Sequence, residues 1–149
     1  MNNAEILAPV GSEEQLLAAV RSGANAVYLG TKSFNARRNA DNFDSLNLNQ
    51  AVKYCHSYNV KVYVTLNTIV FDKELKSLYE TIKEIAKSQA DAVIVQDFAT
   101  VKAVKKICPS LPLHASTQMA IHNVSGVKVL EKLGFTRVVL ARELSFREI

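Results

Sequence analysis

The chain has 149 residues, of which 48% are apolar and 21% are charged, and its formal net charge is +4. This composition is typical of a folded domain and excludes a disordered tail. It also excludes a membrane span, a secretory leader and a disulfide framework, because there is no apolar run of about 20 residues, no basic start before an apolar run, and only two cysteines, Cys55 and Cys108. We therefore expect a cytoplasmic protein with one domain over residues 1–149.

Short runs rich in β-branched residues recur along the chain and predict six buried strands. Segments with helical spacing separate them, and Gly23 and Gly134 stand where a helix favours a left-handed cap. This repeated β-α order predicts parallel strands with crossover helices. The predicted strands cover residues 5–10, 25–30, 60–67, 91–96, 111–118 and 136–142.

The strand spacing favours an incomplete TIM-type (β/α) barrel. The predicted strands start about 26 residues apart, so eight units would need roughly 210 residues, close to the usual size of such a barrel. We therefore expect the N-terminal portion of a (β/α)8-like barrel, truncated after the sixth strand. The alternative is a six-stranded doubly wound sheet. That fold favours a Gly-rich turn after the first strand, whereas residues 8–12 contain a single glycine.

The longest predicted loop, residues 31–44, follows the second strand and is polar, basic and aromatic. On a barrel this loop lies over the opening at the carboxyl ends of the strands. Arg37 can bind a phosphate or carboxylate, while Tyr28 and Phe34 can offer a stacking face to a base or ring. The alternative interpretation is a solvated loop that Phe34 and Phe43 pin to the body of the protein.

The fifth predicted strand carries His114, Ser116 and Gln118, which alternation places on one side. If that side faces the barrel axis, an imidazole and a hydroxyl stand near the opening. We predict His114 as the catalytic or ligand-orienting residue, with Ser116 and Gln118 contacting substrate. A serine nucleophile is disfavoured, because no acid at a suitable position completes a triad.

Other polar residues end neighbouring predicted strands: Asn67, Gln96, Asp97, Arg142 and Glu143. A ring of amide, carboxylate and guanidinium groups suits recognition of a planar polar ligand. The alternative is that Asp97 caps the next helix and that Arg142 and Glu143 form a local ion pair. The histidines and cysteines show no metal-ligand spacing, so no metal site is predicted.

Seven ordered motifs carry a family resemblance: ILAPVGS at 6–12, AVYLG at 26–30, SFNAR at 33–37, VYVTLNT at 62–68, VQD at 95–97, HASTQM at 114–119 and VLAREL at 139–144. Together they resemble the N-terminal part of the collagenase-like peptidase family of unknown catalytic type, family thirty-two. The resemblance implies either a collagenase-like protease or an oxygen-independent hydroxylation enzyme. Known substrates of the hydroxylating members are a tRNA wobble uridine, a ribosomal RNA cytidine and the ubiquinone ring.

The resemblance also implies an iron–sulfur cluster in the full-length protein, held by cysteines that follow the region present here. We expect no cofactor within this chain and carry over no catalytic residues from the family. The main hypothesis is an RNA-hydroxylating enzyme that binds a planar polar substrate. The alternatives are a peptidase and a non-catalytic binding fragment. Since six strands leave two unpaired edges, we also expect self-association through those edges.

Overall fold

The structure is a computed structural model, and it describes residues 4–36 and 42–149. Six strands form within the predicted segments or one residue beyond them. They are β1 (Leu7–Val10), β2 (Ala26–Gly30), β3 (Lys61–Leu66), β4 (Ala92–Val95), β5 (Leu113–Ala115) and β6 (Phe135–Val138).

One α-helix follows each of the first five strands, and two short 3-10 turns precede the third and fifth of these helices. The helices are α1 (Glu13–Arg21), α2 (Ser45–Ser57), α3 (Leu75–Ser88), α4 (Phe98–Ile107) and α5 (Val124–Lys132). The 3-10 turns cover Asp72–Glu74 and Thr117–Met119. No helix among the described residues is both long and apolar enough to cross a membrane.

The strand order confirms the incomplete barrel. All neighbouring strands are parallel, and their order in the sheet is the order in the chain, from β1 to β6. Each βα unit therefore steps in the same direction, as in a (β/α) barrel. The doubly wound alternative is wrong, because that fold reverses direction at a switch point. The sheet is not closed, so β1 and β6 are its two edges.

Alternate residues of each strand face opposite sides of the sheet. One side packs against the helices and forms the larger core; in β3 it carries Val62, Val64 and Leu66, which are all fully buried. The other side, here called the inner face, carries Tyr63 and its neighbours Ala92 and Ile94. The carboxyl ends of the strands open on one end of this inner face, which we call the mouth.

Two strands are shorter than predicted, and this moves several polar residues off the sheet. β5 ends at Ala115 because the Ser116 hydroxyl accepts a hydrogen bond from the Gln118 amide at 3.2 Å and starts a 3-10 turn. β6 ends at Val138, since its partner strand has already ended and the last ladder bond runs from the Val139 amide to the Ala115 carbonyl.

Helix ends follow the sequence signals. Gly23 and Gly134 adopt the left-handed conformation, with φ of 86° and 81°, as predicted for residues just after a helix. Asn59 takes the same role after α2 with φ of 58°. These tight reversals return the chain to the amino-terminal edge of the sheet, so every strand starts there and ends at the mouth.

Candidate active site

A small cavity at the mouth lies between the ends of β1, β2 and β3. Asparagine and threonine side chains provide its polar groups, and Tyr28 and Gly30 of β2 complete its floor. The polar lining residues are Asn35, Asn42, Thr65 and Asn67. Three amides and a hydroxyl at the carboxyl ends of parallel strands offer both donors and acceptors, the composition expected of a site for a polar ligand.

Asn35 is the most constrained of these side chains. It is only 3% exposed, and its Nδ2 donates to Asn42 Oδ1 at 2.7 Å. The Thr65 hydroxyl lies 3.1 Å from both Asn35 Oδ1 and the Leu29 carbonyl. The amide therefore links the loop after β2 to β3, with its orientation fixed by partners on both sides.

Glycine at position 30 makes room for this amide. A Cβ on Gly30 would stand 1.7 Å from Asn35 Nδ2 and 2.3 Å from its Cγ. Any side chain at position 30 would therefore occupy the space of the Asn35 amide. The glycine ends β2 because of this close approach, not because of an unusual backbone angle.

Phe34 explains how the chain turns inward at Asn35. It adopts a left-handed φ of 59°, and its ring is buried in the helix-side core together with Phe43. This φ is costly for a bulky residue, so the burial of the ring must offset the strain. The prediction that Phe34 offers a stacking face is therefore wrong, and the alternative, a loop pinned by Phe34 and Phe43, is confirmed.

Asn67 follows β3 directly and is half-buried at the mouth. Its Oδ1 accepts a hydrogen bond from the Ala36 amide at 3.2 Å, which fixes the side-chain plane. Its Nδ2 has no hydrogen-bond partner among residues 4–36 and 42–149. Asn67 thus presents an oriented amide donor to the mouth, as the sequence suggested for this position.

Tyr28 is half-buried on the inner face and lines the same cavity. Its predicted place at the mouth agrees with this geometry, and its stacking role stays a prediction. Arg37, the predicted anion-binding residue, lies outside the described residues.

Gln96 and Asp97 are half-buried and follow β4 at the mouth end. Asp97 is the N-cap of α4: its Oδ1 accepts from the Ala99 amide at 2.7 Å, and its Oδ2 lies 3.4 Å from the Val70 amide. The capping alternative for Asp97 is therefore correct. The same carboxylate ties the loop after β3 to the start of α4.

The remaining predicted residues do not line the mouth cavity. Ser116 is buried and caps a 3-10 turn, while Gln118 lies exposed within that turn instead of on a strand. Arg142 and Glu143 are exposed in a turn beyond the end of β6, and no ion pair joins them in the described part of the chain. Their predicted place at the end of a strand is wrong, because β6 stops four residues earlier.

His114 faces the inner side of the sheet, as expected, but away from the mouth. Its ring packs edge-on against Tyr63, with 4.7 Å between ring centroids. It lines a cavity with Lys61, Asp91 and Arg137, which lie near the amino-terminal edge of the sheet. Burial, together with the positive charge of Arg137, lowers the pKa of His114 to about 4, so the imidazole is neutral near pH 7.

Near His114, an ion pair joins β6 to the segment that precedes β1. Arg137 Nη1 contacts the Glu5 carboxylate, and the Tyr63 hydroxyl donates to the same carboxylate at 3.0 and 3.1 Å. The Arg137 guanidinium also lies 5.2 Å from the centroid of the Tyr63 ring. Hydrogen bonding from Arg137 is the main cause of the lowered pKa of Glu5. Active sites of barrel enzymes lie at the opposite, carboxyl-terminal end of the strands, so we regard this cluster (Glu5, Tyr63, His114 and Arg137) as structural support.

The described residues do not fit an iron–sulfur cluster. Cys55 is fully buried in the helix-side core, and desolvation raises the pKa of its thiol to about 11. Cys108 is the C-cap of α4. Among residues 4–36 and 42–149 there is no group of three or more histidine, cysteine, aspartate or glutamate side chains that could hold a metal ion.

Residues 11–149 match the sequence model of peptidase family U32. The chain is 38% identical over 149 residues to tRNA hydroxylation protein P of Helicobacter pylori, covering 99% of this chain and 35% of that protein. It is 39% identical over 145 residues to the 23S rRNA 5-hydroxycytidine C2501 synthase of Escherichia coli, covering 97% of this chain and 22% of that enzyme.

A third relative has a different name. The chain is 35% identical over 150 residues to collagenase of Porphyromonas gingivalis, covering 100% of this chain and 36% of that protein. Among solved structures, the U32 peptidase Mk0906 aligns with a TM-score of 0.71 at 15% identity, over 93% of this chain and 58% of that one. The chain thus spans between 22% and 36% of the length of these three relatives.

Proposed function

This chain belongs to peptidase family U32. We propose that the full-length protein hydroxylates RNA, with the wobble uridine of tRNA as the main candidate substrate. The names of two relatives support hydroxylation of tRNA or ribosomal RNA. The observation that carries the proposal is the oriented amide of Asn67 beside Asn35 and Thr65 at the mouth. A site with amide and hydroxyl groups can read the edge of a nucleobase.

Uracil presents two carbonyl acceptors and one ring N–H donor, all in one plane. In the proposed complex, Asn67 Nδ2 donates to a uracil carbonyl, while the Ala36 amide holds the Asn67 carbonyl oxygen in place. Tyr28 packs against the base. Such contacts require an unpaired base, because the edges of a paired base are taken up by its partner and a base must leave the stack to enter a pocket.

Asn35 and Thr65 act in this proposal as positioning residues. Their hydrogen bonds tie the loop after β2 to β3, and that loop carries the Ala36 amide that orients Asn67. Misplacing a binding group by about 1 Å can cost 100-fold in rate, so this support matters even without contact to the base. A catalytic role for His114 stays a prediction, since its neutral ring contacts Tyr63 and not the mouth residues.

The proposal is tested in a strain that lacks the gene. Mass spectrometry of its tRNA nucleosides should show that hydroxyuridine is lost and that the full-length gene restores it. The gene carrying Asn67→Ala should fail to restore the modification, whereas Asn47→Ala, an exposed position on α2, should restore it. Unchanged hydroxyuridine in the deletion strain contradicts the tRNA assignment, and an unchanged 5-hydroxycytidine content of ribosomal RNA as well contradicts RNA hydroxylation.

A peptidase is the second candidate, favoured by the collagenase from Porphyromonas gingivalis. It needs an activated nucleophile or a metal-bound water. Within the described residues, Ser116 is buried as a cap and Cys55 is buried in the core, so these groups do not supply one. Gelatin cleavage by the purified full-length protein that is lost on His114→Ala would support this candidate over RNA hydroxylation.

Three further features belong to the proposal. We assign the family's iron–sulfur cluster to cysteines outside this sequence, because Cys55 and Cys108 lie in helical packing positions. We place the protein in the cytoplasm, where tRNA and ribosomes are found. We expect the edges at β1 and β6 to pair, in this chain alone, with those of a second copy, because unpaired parallel edges expose backbone N–H and C=O groups.

A further inference from the structure

Three large apolar side chains are exposed beside the mouth. Ile69 and Phe71 lie in the loop after β3, with exposed fractions of 65% and 63%, and Phe98 is the first residue of α4, with 59% exposed. We call these three residues the rim. Single exposed apolar residues are common, but two aromatic rings next to a candidate site are a reason to look for a ligand.

The rim is continuous with the mouth. Asn67 and the rim loop follow β3, while Gln96, Asp97 and Phe98 follow β4, and these two strands are neighbours in the sheet. The Asp97 carboxylate also lies 3.4 Å from the Val70 amide, which brings the two segments together. The rim therefore borders the mouth on the side of β3 and β4.

Each aromatic ring of the rim has a lysine beside it. Lys73 Nζ lies 6.0 Å from the centroid of the Phe71 ring. Lys102 is exposed and lies one helical turn after Phe98, at the i+4 position that shares its face of α4. Two acidic residues lie in the same region. Asp72 is exposed, and the Glu74 carboxylate accepts a hydrogen bond from the Phe71 amide at 2.9 Å.

Aromatic faces with adjacent cations match one ligand chemistry well. Proteins that bind single-stranded nucleic acid stack bases on aromatic rings and place lysine or arginine near the phosphates. A purely apolar partner would not need the lysines, and a phosphate alone would not need the exposed rings. We infer that Phe71 and Phe98 stack unpaired nucleobases that flank the target nucleotide, with Lys73 and Lys102 near the phosphates. The inference rests on the proposed function, since it names how the same RNA is held.

The test measures binding of a short RNA stem-loop that carries 2-aminopurine among its unpaired nucleotides. Stacking quenches the fluorescence of this base, so the full-length protein should both bind the RNA and quench it. Phe71→Ala and Phe98→Ala should each weaken binding by roughly 5- to 100-fold and reduce the quenching. Phe71→Trp and Phe98→Trp should retain both. Lys73→Ala and Lys102→Ala should each make the slope of log K (the RNA association constant) against log[salt] less steep by about 0.7.

Tyr58→Ala is the matched control. Tyr58 is as exposed as Phe98, at 59%. It caps the carboxyl end of α2, at the amino-terminal ends of the strands and away from the mouth. Its replacement should leave RNA affinity and quenching unchanged. Urea unfolding of each variant verifies that the fold is intact.

The outcomes separate this inference from the proposed function. If both phenylalanine variants bind RNA as wild type does while Asn67→Ala binds more weakly, the rim assignment is overturned and the proposed function stands. If Phe98→Ala instead converts a dimer into a monomer with unchanged RNA affinity, the rim covers a second copy and the inference is overturned. If the wild-type protein does not bind the RNA, both are overturned.

Discussion

Gly30→Ala should expel the Asn35 side chain from the mouth. The new Cβ would lie 1.7 Å from Nδ2, 2.3 Å from Cγ and 2.9 Å from Oδ1 of Asn35, so the whole terminal amide must move. The backbone of Gly30 itself accepts alanine, because its φ lies outside the left-handed region. The cost of the substitution therefore measures the close approach of Asn35 and little else.

The structure gives the size of the effect. Expulsion breaks the hydrogen bond from Asn35 Nδ2 to Asn42 at 2.7 Å and the one that Thr65 makes to Asn35 at 3.1 Å. Each such bond contributes about 0.5–1.5 kcal/mol net. Thr65 keeps the Leu29 carbonyl as acceptor, so it carries no penalty for an unpaired buried hydroxyl. The free energy of unfolding should fall by about 2 kcal/mol.

A double-mutant cycle identifies the cause. In an Asn35→Ala background the clashing atoms are gone, so Gly30→Ala should be neutral or should stabilise the protein by about 0.5 kcal/mol through the unfolded chain. Urea unfolding with unchanged m values measures both steps. Gly126→Ala is the control: its Cβ would lie 3.3 Å from the Ile121 side chain, which must shift slightly, and it would not meet Asn35, so its effect should be the same in both backgrounds. If Gly30→Ala costs the same in both backgrounds, the reasoning is refuted.

Other predictions concern the rest of the fold. Between about pH 6.5 and pH 4, the free energy of unfolding of the wild type should fall by about 3 kcal/mol more than that of His114→Gln. The pKa of buried His114 is about 4, so the unfolded chain binds a proton at this histidine before the folded protein does. If urea unfolding gives both proteins the same dependence of stability on pH, this prediction is contradicted. Asp97→Ala should lower the free energy of unfolding by about 1–2 kcal/mol, through loss of the α4 cap and the contact to Val70, whereas Asp97→Asn should retain most of it. Cys55, fully buried with a pKa of about 11, should resist iodoacetamide at pH 8 while Cys108 reacts, and rapid labelling of Cys55 would count against its core position. Light scattering should find this chain associated at its open edges, and a stable monomer would disprove that expectation.

The local patterns of the sequence predicted the architecture correctly. Alternating βα segments, and left-handed caps at Gly23 and Gly134, are local signals, because each follows from the period or backbone freedom of a few residues. They predicted six parallel strands in sequential order, and the structure has them. The prediction placed the ends of β5 and β6 too far along the chain. β5 stops early because the hydroxyl of Ser116 starts a turn that strand propensity does not reveal, and β6 stops with its partner strand.

The site was predicted only in part. Tyr28 and Asn67 lie at the mouth as predicted, because Tyr28 is part of β2 and Asn67 directly follows β3, two strands that the local sequence pattern predicts well. Asn35 was not singled out, because its position depends on a hydrogen bond with Thr65, 30 residues away in the chain, and on burial of Phe34. The one signal in the sequence was a glycine at the end of a strand, which often marks a close contact.

His114 shows the opposite limit. Alternation correctly predicted that His114 lies on the inner face, but it could not predict at which end of that face the ring lies. The stagger between parallel strands brings its β6 partner, Arg137, close to Glu5, which precedes β1. Such stagger is a property of the whole sheet, so no local pattern contains it.

A crystal structure of the protein with a uridine-containing oligonucleotide tests the central claim most directly. The account predicts an unpaired uracil at the mouth, with a carbonyl oxygen within hydrogen-bond distance of Asn67 Nδ2 and the ring beside Tyr28. A base bound instead at the amino-terminal edge, against Lys61 and His114, would contradict it.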